Sequence, residues 1–284
     1  MTRRGAVAWC LYDWAYSAFN TVVVSFVIAT YFVRAVASDP AIGTAAGAGA
    51  QAAAGLLIAV TAAPLGAIAD RSGQRRQMLA GFTAAMVALT AALWFVRPEQ
   101  ASAPLALILV AAATVSFEIA TVFYNALLPE VAPAGHIGRV SGLAWGLGYV
   151  GGLVCLALCL VLLVNPDPPL FGLSRHAAEP VRATALLAAA WIALFSWPVL
   201  VFVPDPARRM AWRPAMREGL AALAATIRSA ARDRSLGGFL VARMLYTDGL
   251  TALFAFGGIF AAGTFGMGAR QVLLLGIALN ATSG

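Results

Sequence analysis

The sequence predicts an all-α polytopic membrane protein, and three observations support this fold class. Of the 284 residues, 61% are hydrophobic and only 11% are charged, whereas a soluble domain is about half apolar and about a quarter charged. The apolar residues form long runs, and about 20 apolar residues are what a helix needs to cross a bilayer. Most of the arginines lie in the segments between these runs.

Seven apolar runs are long enough to be complete membrane spans. They cover residues 6–36, 47–69, 77–96, 104–128, 140–164, 183–203 and 236–263. An eighth run begins near residue 270, and roughly 15 residues of helix reach only about 22 Å, which is too short to cross. We therefore expect the chain to be a fragment of a longer protein. The first run contains Asp13 and has no convincing cleavage site, so we interpret it as a retained helix.

The arginines predict the orientation, because cytoplasmic loops are enriched in positive charge. One predicted side carries Arg3, Arg4, Arg71, Arg75, Arg76, Arg139, Arg208, Arg209, Arg213, Arg217, Arg228, Arg232 and Arg234. The other carries Arg34, Arg97, Arg175, Arg182 and Arg270. The first side is therefore predicted to be cytoplasmic, with the N-terminus on it, in a multi-pass protein of the inner (cell) membrane. Basic residues spread over short loops in this way do not form a nucleic-acid-binding face.

The turn between the second and third predicted helices is the most informative segment. It reads Gly66-Ala67-Ile68-Ala69-Asp70-Arg71-Ser72-Gly73-Gln74-Arg75-Arg76. Its charges cannot lie in hydrocarbon, so the turn is placed at a membrane surface between antiparallel neighbouring helices. The spacing resembles the signature loop of the major facilitator superfamily, G-x-L-x-D-R-x-G-R-[KR], with departures at Ile68 and Gln74. The resemblance implies a gating loop made of Gly66, Asp70, Arg71, Gly73, Arg75 and Arg76.

Further segments narrow this resemblance to one branch of the superfamily. They are residues 9–19, 123–129, 148–152, 246–249 and 254–258. They resemble bacterial members of the vacuole-effluxer (autophagy-related amino-acid effluxer) branch. The resemblance implies the major facilitator fold, with the N-terminal six-helix half and the start of the C-terminal half, and it implies amino acids as possible solutes.

The predicted domain organisation follows the apolar runs. Residues 1–203 form a six-helix bundle, residues 204–235 a cytoplasmic linker, and residues 236–284 the start of a second bundle. A weak repeat supports a second half, because Tyr12-Asp13 on helix one resembles Tyr246-Thr247-Asp248 on helix seven. In the linker, apolar residues recur at helical spacing, namely Met216, Leu220, Leu223 and Ile227. This pattern predicts an amphipathic helix at the membrane surface. A simple connector and a partner-binding element both remain open as its role.

Two polar stripes interrupt the apolar helices. Helix one carries Asp13, Ser17 and Asn20 on one face, and helix four carries Thr114, Glu118, Thr121 and Asn125 at the same spacing. Such stripes are expected to face water or another polar helix rather than lipid. The resemblance adds that helices one, four, seven and ten line the central cavity of the major facilitator fold.

Ionisable residues inside a membrane span are expected to have a role, because inserting each one into the bilayer costs roughly 2.5–3.5 kcal/mol of free energy. Asp13, Glu118 and Asp248 are candidates for proton coupling or for holding a substrate amine. Arg243 stays protonated and is a candidate for a substrate carboxylate. Static ion pairs or hydrogen bonds are the alternative for each acid, and snorkelling to the interface is the alternative for Arg243.

Helix five is rich in glycine at two places with G-x-x-x-G spacing. Gly142/Gly146 and Gly148/Gly152 both predict close helix packing, with a gating hinge as the alternative. Cys155 and Cys159 lie one turn apart without His or carboxylate partners, which predicts small buried residues and no metal site.

These observations together predict a secondary active transporter that moves a small solute by alternating access, with protons as a possible coupling ion. The partners expected are the solute and the lipid bilayer, the protein is expected to be a monomer, and no cofactor or catalytic residue is predicted. A membrane-embedded enzyme would need a catalytic motif, and no G-x-x-x-x-G-K-[ST], H-E-x-x-H or G-x-S-x-G is present. A non-transporting sensor or scaffold of the same fold is the alternative function.

Overall fold

The computed structural model describes residues 3–204 and 210–265, and for residues 134, 212 and 250–263 it describes the backbone alone. Among the described residues, six helices are long and apolar enough to cross a membrane. They are α1 (Arg3–Val36), α2 (Pro40–Ser72), α3 (Arg75–Phe95), α4 (Gln100–Ala126), α5 (Ile137–Val164) and α6 (Glu179–Phe202). The chain divides into two compact units, Met1–Gly219 and Leu220–Gly284, and the six helices belong to the first.

The helix boundaries follow local signals in the sequence. The carboxylate of Asp39 accepts hydrogen bonds from the backbone of Ala41 and Ile42, at 2.8 and 3.2 Å, and Pro40 occupies the first turn. Because of this cap, α2 begins at Pro40, earlier than the start at residue 47 that the apolar run predicted. At its other end, Gly73 adopts φ 67°, a left-handed conformation that glycine adopts readily, and it ends α2 before α3 begins.

Helix α1 is regular only as far as Ala18. Beyond it the backbone forms π-helical turns at Phe19–Phe26 and Phe32–Val36, with hydrogen bonds such as Val27 N to Val22 O at 3.0 Å. A π-helical turn inserts one residue into the α-helical register. The angular relation between Asp13 and Asn20 therefore differs from that of a regular helix.

The core of the first unit lies in two clusters around α1. One contains Trp9, Tyr12, Phe123 and Val199, near the end of the bundle where α1 begins. The other contains Phe19, Met86 and Ile192, together with buried residues of α4 and α5 that lie farther from that end. Helix α1 packs against α5 and α6, α3 packs against α4 and α6, and α2 packs against α4. Because α1 is packed against these neighbours, one of its polar side chains, Asp13, is buried between helices.

Close contact between α1 and α5 depends on glycine. A Cβ atom on Gly148 would lie 2.7 Å from the Asp13 Oδ1 and Ser17 Oγ atoms, and one on Gly152 would lie 2.5 Å from Thr21 Oγ1. Cβ atoms on Gly142 or Gly146 would meet nothing within 4 Å. The packing prediction therefore holds for the second glycine pair, whereas the first pair has no close helix neighbour within the described part of the chain.

Arg182 closes the opposite end of the bundle from Arg3. It is 6% exposed, and its guanidinium lies 4.7 Å from the centre of the Trp94 ring. Its Nε donates to Trp94 O at 2.7 Å and its Nη1 to Ala177 O at 3.2 Å. Carbonyl oxygens and an aromatic face thus satisfy the buried cation, and they tie the start of α6 to the end of α3.

The linker contains helix α7 (Trp212–Arg232), which crosses the boundary between the units. In the first unit, a Cβ on Gly219 would lie 2.8 Å from Ala67 O, so the start of α7 packs closely on α2. The second unit contains the rest of α7 and helix α8 (Arg234–Phe265), which covers the predicted run at 236–263. The first turn of α8 is capped by Asp233, whose carboxylate accepts a hydrogen bond from Ser235 N at 2.9 Å. The predicted run from residue 270 lies outside the described residues.

Candidate functional site

The central feature of the site is a buried carboxylate. Asp13 is 4% exposed and lies on α1 where this helix meets α4 and α5. The hydroxyl group of Tyr124, on α4, donates to Asp13 Oδ2 at 3.2 Å. The other carboxylate oxygen and Ser17 Oγ both border the space left by the missing side chain of Gly148. In the described part of the chain, no basic side chain pairs with Asp13.

Aromatic rings pack around Tyr124, the donor to this carboxylate. The rings of Trp9 and Tyr124 are stacked with centroids 4.2 Å apart, and Tyr12 lies 4.9 Å from Tyr124. Tyr16 lies 5.7 Å from Tyr124. Trp9 Nε1 donates to Tyr124 O at 2.9 Å, and the Tyr12 hydroxyl bonds to Thr83 Oγ1 at 2.7 Å. These contacts hold Tyr124 in place, so the donor to Asp13 has a defined position.

The sequence prediction missed Tyr124, Tyr12 and Trp9 as members of the site. Their spacing did contain a signal, because Trp9, Tyr12 and Tyr16 follow one another at helical intervals around Asp13. Tyr124 directly precedes the predicted Asn125. Aromatic residues at helical spacing are common in cores, and only the packing shows that these rings hold the donor to a buried carboxylate.

The stripe on α4 lies on a different surface from Asp13. Glu118 and Asn125 are exposed, and Thr114 and Thr121 are half-buried. Both threonine hydroxyls donate to carbonyl oxygens of their own helix, to Val110 O and Phe117 O at 2.9 Å. Tyr16 is close enough to both Asp13 and Glu118 for their charges to act on its hydroxyl group. The structure therefore brings Asp13, Ser17 and Tyr124 together and leaves Glu118 on the adjoining exposed face.

The remaining predicted residues of the pathway are exposed. Asn20 lies in the first π-helical turn of α1 and is exposed. In the second unit, Arg243 and Asp248 are exposed on α8. Among the described residues, no group of three or more His, Cys, Asp and Glu side chains could hold a metal ion. Cys155 and Cys159 are free and buried.

The charged turn between α2 and α3 forms a network at the end of the bundle where α1 begins. Arg75 Nε donates to Asp70 Oδ1 at 2.7 Å, and its Nη1 donates to Ala126 O at 3.1 Å. Arg75 Nη1 also lies 3.5 Å from Glu130 Oε1. Arg75 therefore connects the turn to the last turn of α4, where free carbonyl groups attract a cation.

The other residues of the turn make separate contacts. Arg76 Nη1 donates to Val203 O at 3.2 Å, beyond the end of α6. Arg71 lies 3.8 Å from Glu218 on α7, and both side chains are about half exposed. An exposed pair of this kind contributes about 0–1 kcal/mol. A Cβ on Gly66 would approach Val122 Cγ1 to 3.3 Å, so this glycine permits close packing of α2 on α4.

Replacing Arg75 with glutamine is expected to loosen this turn. The change removes a charge-assisted hydrogen bond and leaves Ala126 O without its donor, which costs about 1–2 kcal/mol at a partly exposed site. Hydrogen–deuterium exchange of the amides in residues 66–76 should become faster by about tenfold. Arg139→Gln, an exposed arginine on the same predicted side, is the control. Equal exchange rates in the two variants would contradict the role given to Arg75.

The six spans, the buried intramembrane carboxylate and the charged turn define an all-α, multi-pass membrane protein of the major-facilitator type. Residues 50–283 match the protein family described as vacuole effluxer Atg22 like, and the chain belongs to this family. It is 27% identical over 271 residues to a protein of Bacillus subtilis (strain 168) called uncharacterized MFS-type transporter YxiO. That alignment covers 94% of this chain and 62% of the relative's length. No solved structure matches the chain.

Proposed function

We propose that the protein is a secondary active transporter that moves a small solute across the cell membrane by alternating access, with proton coupling at Asp13. One observation carries the proposal: Asp13 is buried between three helices, has a tyrosine donor, and has no basic partner in the described part of the chain. Membership of a transporter family supports transport rather than catalysis. Because the chain spans 62% of its relative, the activity is proposed for the intact protein.

The chemistry of coupling follows from the cost of a buried charge. An unpaired carboxylate in a bilayer span is expensive, and taking up a proton removes its charge. Movement of α1 relative to α4 and α5 would open Asp13 to water and allow the proton to leave. The Tyr124 hydroxyl can donate to the anion or accept from the protonated acid, so it serves both states.

The solute and the orientation are part of the same proposal. Amino acids are the first class to test, because the matched family is described as a vacuole effluxer and the resemblance of the sequence favours these solutes. Glu118 and Asn125 on the exposed face of α4 are proposed to contact the solute. The excess of arginine at the end that carries Arg3 and Arg75 supports a cytoplasmic N-terminus.

The test is uptake of radiolabelled amino acids into proteoliposomes that contain the intact protein. An imposed pH gradient is expected to drive accumulation, and a protonophore is expected to abolish it; empty liposomes are the control. If collapse of the gradient has no effect, and Asp13→Asn and Glu118→Gln keep full accumulation, proton coupling is wrong. Solute binding without any uptake or exchange would favour the sensor or scaffold instead.

A further inference from the structure

A cleft lies between the first turns of α1 and the last turns of α6, away from Asp13. Its volume is about 610 Å³, and its walls include Val7, Leu11, Trp197 and Phe202. Two arginines, Arg3 and Arg4, lie at its mouth. None of the predicted solute-pathway residues lines it, so the proposed function leaves it unexplained.

The cleft combines an apolar wall with a basic rim. Val7 is 60% exposed and Trp197 is 50% exposed, so the apolar wall is open to the surroundings of the bundle. Arg3 and Arg4 are exposed, and in the described part of the chain neither forms an ion pair. None of the described residues that line the cleft is acidic. A ligand that fits this surface has a negative head and an apolar body.

The depth of the cleft in the membrane points to the same ligand. Helix α1 starts at Arg3 and α6 ends at Phe202, so the cleft lies at the end of the bundle that also carries the charged turn around Arg75. Tryptophan at a helix end is typical of the boundary between headgroups and acyl chains. Basic pockets between helices at this level bind anionic lipid headgroups.

We propose that this cleft binds an anionic phospholipid of the surrounding bilayer. The lipid phosphate would accept hydrogen bonds from the guanidinium groups of Arg3 and Arg4. One acyl chain would lie along Val7, Leu11 and Trp197. A guanidinium presents paired donors that match phosphate oxygens. The two positive charges favour an anionic headgroup over a zwitterionic one, because the choline cation of the latter would be repelled by Arg3 and Arg4. The proposal does not depend on which solute is transported.

The test compares lipids bound to the intact protein by native mass spectrometry. Phosphatidylglycerol is expected to bind the wild type more tightly than phosphatidylcholine. Arg3→Gln/Arg4→Gln is expected to reduce this preference by about 25-fold, since each arginine near a membrane surface contributes roughly fivefold. Arg34→Gln/Arg97→Gln, two exposed arginines at the opposite end, is the matched control and should keep the preference.

A second variant separates the acyl-chain site from the charge. Val7→Trp narrows the apolar part of the cleft and keeps both arginines, and it should lower phosphatidylglycerol retention at least fivefold. Brominated phosphatidylglycerol should quench tryptophan fluorescence in the wild type. Trp197→Phe should reduce that quenching more than Trp145→Phe, which removes an equally exposed tryptophan outside the cleft.

Other outcomes would overturn the proposal. Equal retention of the two lipids would mean an apolar cleft without headgroup recognition. Displacement of the lipid by millimolar glycerol phosphate would mean a site for a soluble phosphate. No bound lipid in any variant would mean that protein covers the cleft.

Discussion

Gly151→Ala is expected to lower the free energy of unfolding by about 3 kcal/mol, the upper end of the range for overpacked contacts. A Cβ at this position on α5 would lie 2.9 Å from the Cα and carbonyl carbon of Trp14 on α1, and closer still to its carbonyl oxygen. Backbone atoms cannot rotate away as a side chain can. The same carbonyl oxygen accepts a hydrogen bond from Trp191 Nε1 on α6, at 3.3 Å. A shift of α1 would therefore disturb three helices.

Thermal unfolding of the detergent-solubilised protein measures this effect, and Gly146→Ala is the matched control. Gly146 lies on the same helix, and a Cβ there would meet nothing within 4 Å. Alanine is also a better helix former than glycine by about 1 kcal/mol, so the control should be neutral or slightly stabilised. If both variants unfold at the same temperature, the close contact between α1 and α5 does not exist as described.

Asp13→Asn is expected to reduce gradient-driven accumulation of solute by at least about tenfold, equivalent to about 1.4 kcal/mol. Asparagine keeps the shape of the side chain and still accepts a hydrogen bond from Tyr124, but it cannot take up or release a proton. Exchange of labelled solute at equal pH on both sides should continue, because exchange needs no net proton movement. The two assays together separate loss of coupling from loss of folding.

Two further variants sharpen this test. Tyr124→Phe removes only the donor to Asp13 and should have a smaller effect, about twofold to fivefold, in line with one hydrogen bond. Asp167→Asn makes the same acid-to-amide change at a loop carboxylate that is 87% exposed, and it should leave accumulation unchanged. Full accumulation by Asp13→Asn would contradict proton coupling at this residue.

The two glycine pairs of α5 show what residue spacing alone cannot predict. Gly142/Gly146 and Gly148/Gly152 have the same spacing, and the sequence offers no reason to rank them. In the structure, α1 lies against the second pair and not the first. Close packing depends on which neighbour a helix face meets, and that information lies in residues far away in the chain.

The two polar stripes also differ in how much of their environment the spacing could predict. Spacing correctly placed Glu118 and Asn125 on one surface of α4, because that helix is regular through this stretch. It could not show that Asp13 is buried and accepts a hydrogen bond from Tyr124, since this contact joins α1 to α4 across 111 residues of chain. The π-helical turn after Ala18 also includes Asn20, and the sequence there gives no sign of this turn.

The sequence by itself determined the class of the protein, its spans, the charged turn and the family, because hydropathy, charge and short motifs are local properties of the chain. Tertiary structure decided which carboxylate is buried, which glycines allow helices to meet, and where an apolar cleft borders two arginines. These features depend on contacts between helices that are distant in sequence. In a bilayer, burial of apolar surface does not hold helices together, because lipid tails are as apolar as the side chains. Helix association therefore depends on such close packing contacts.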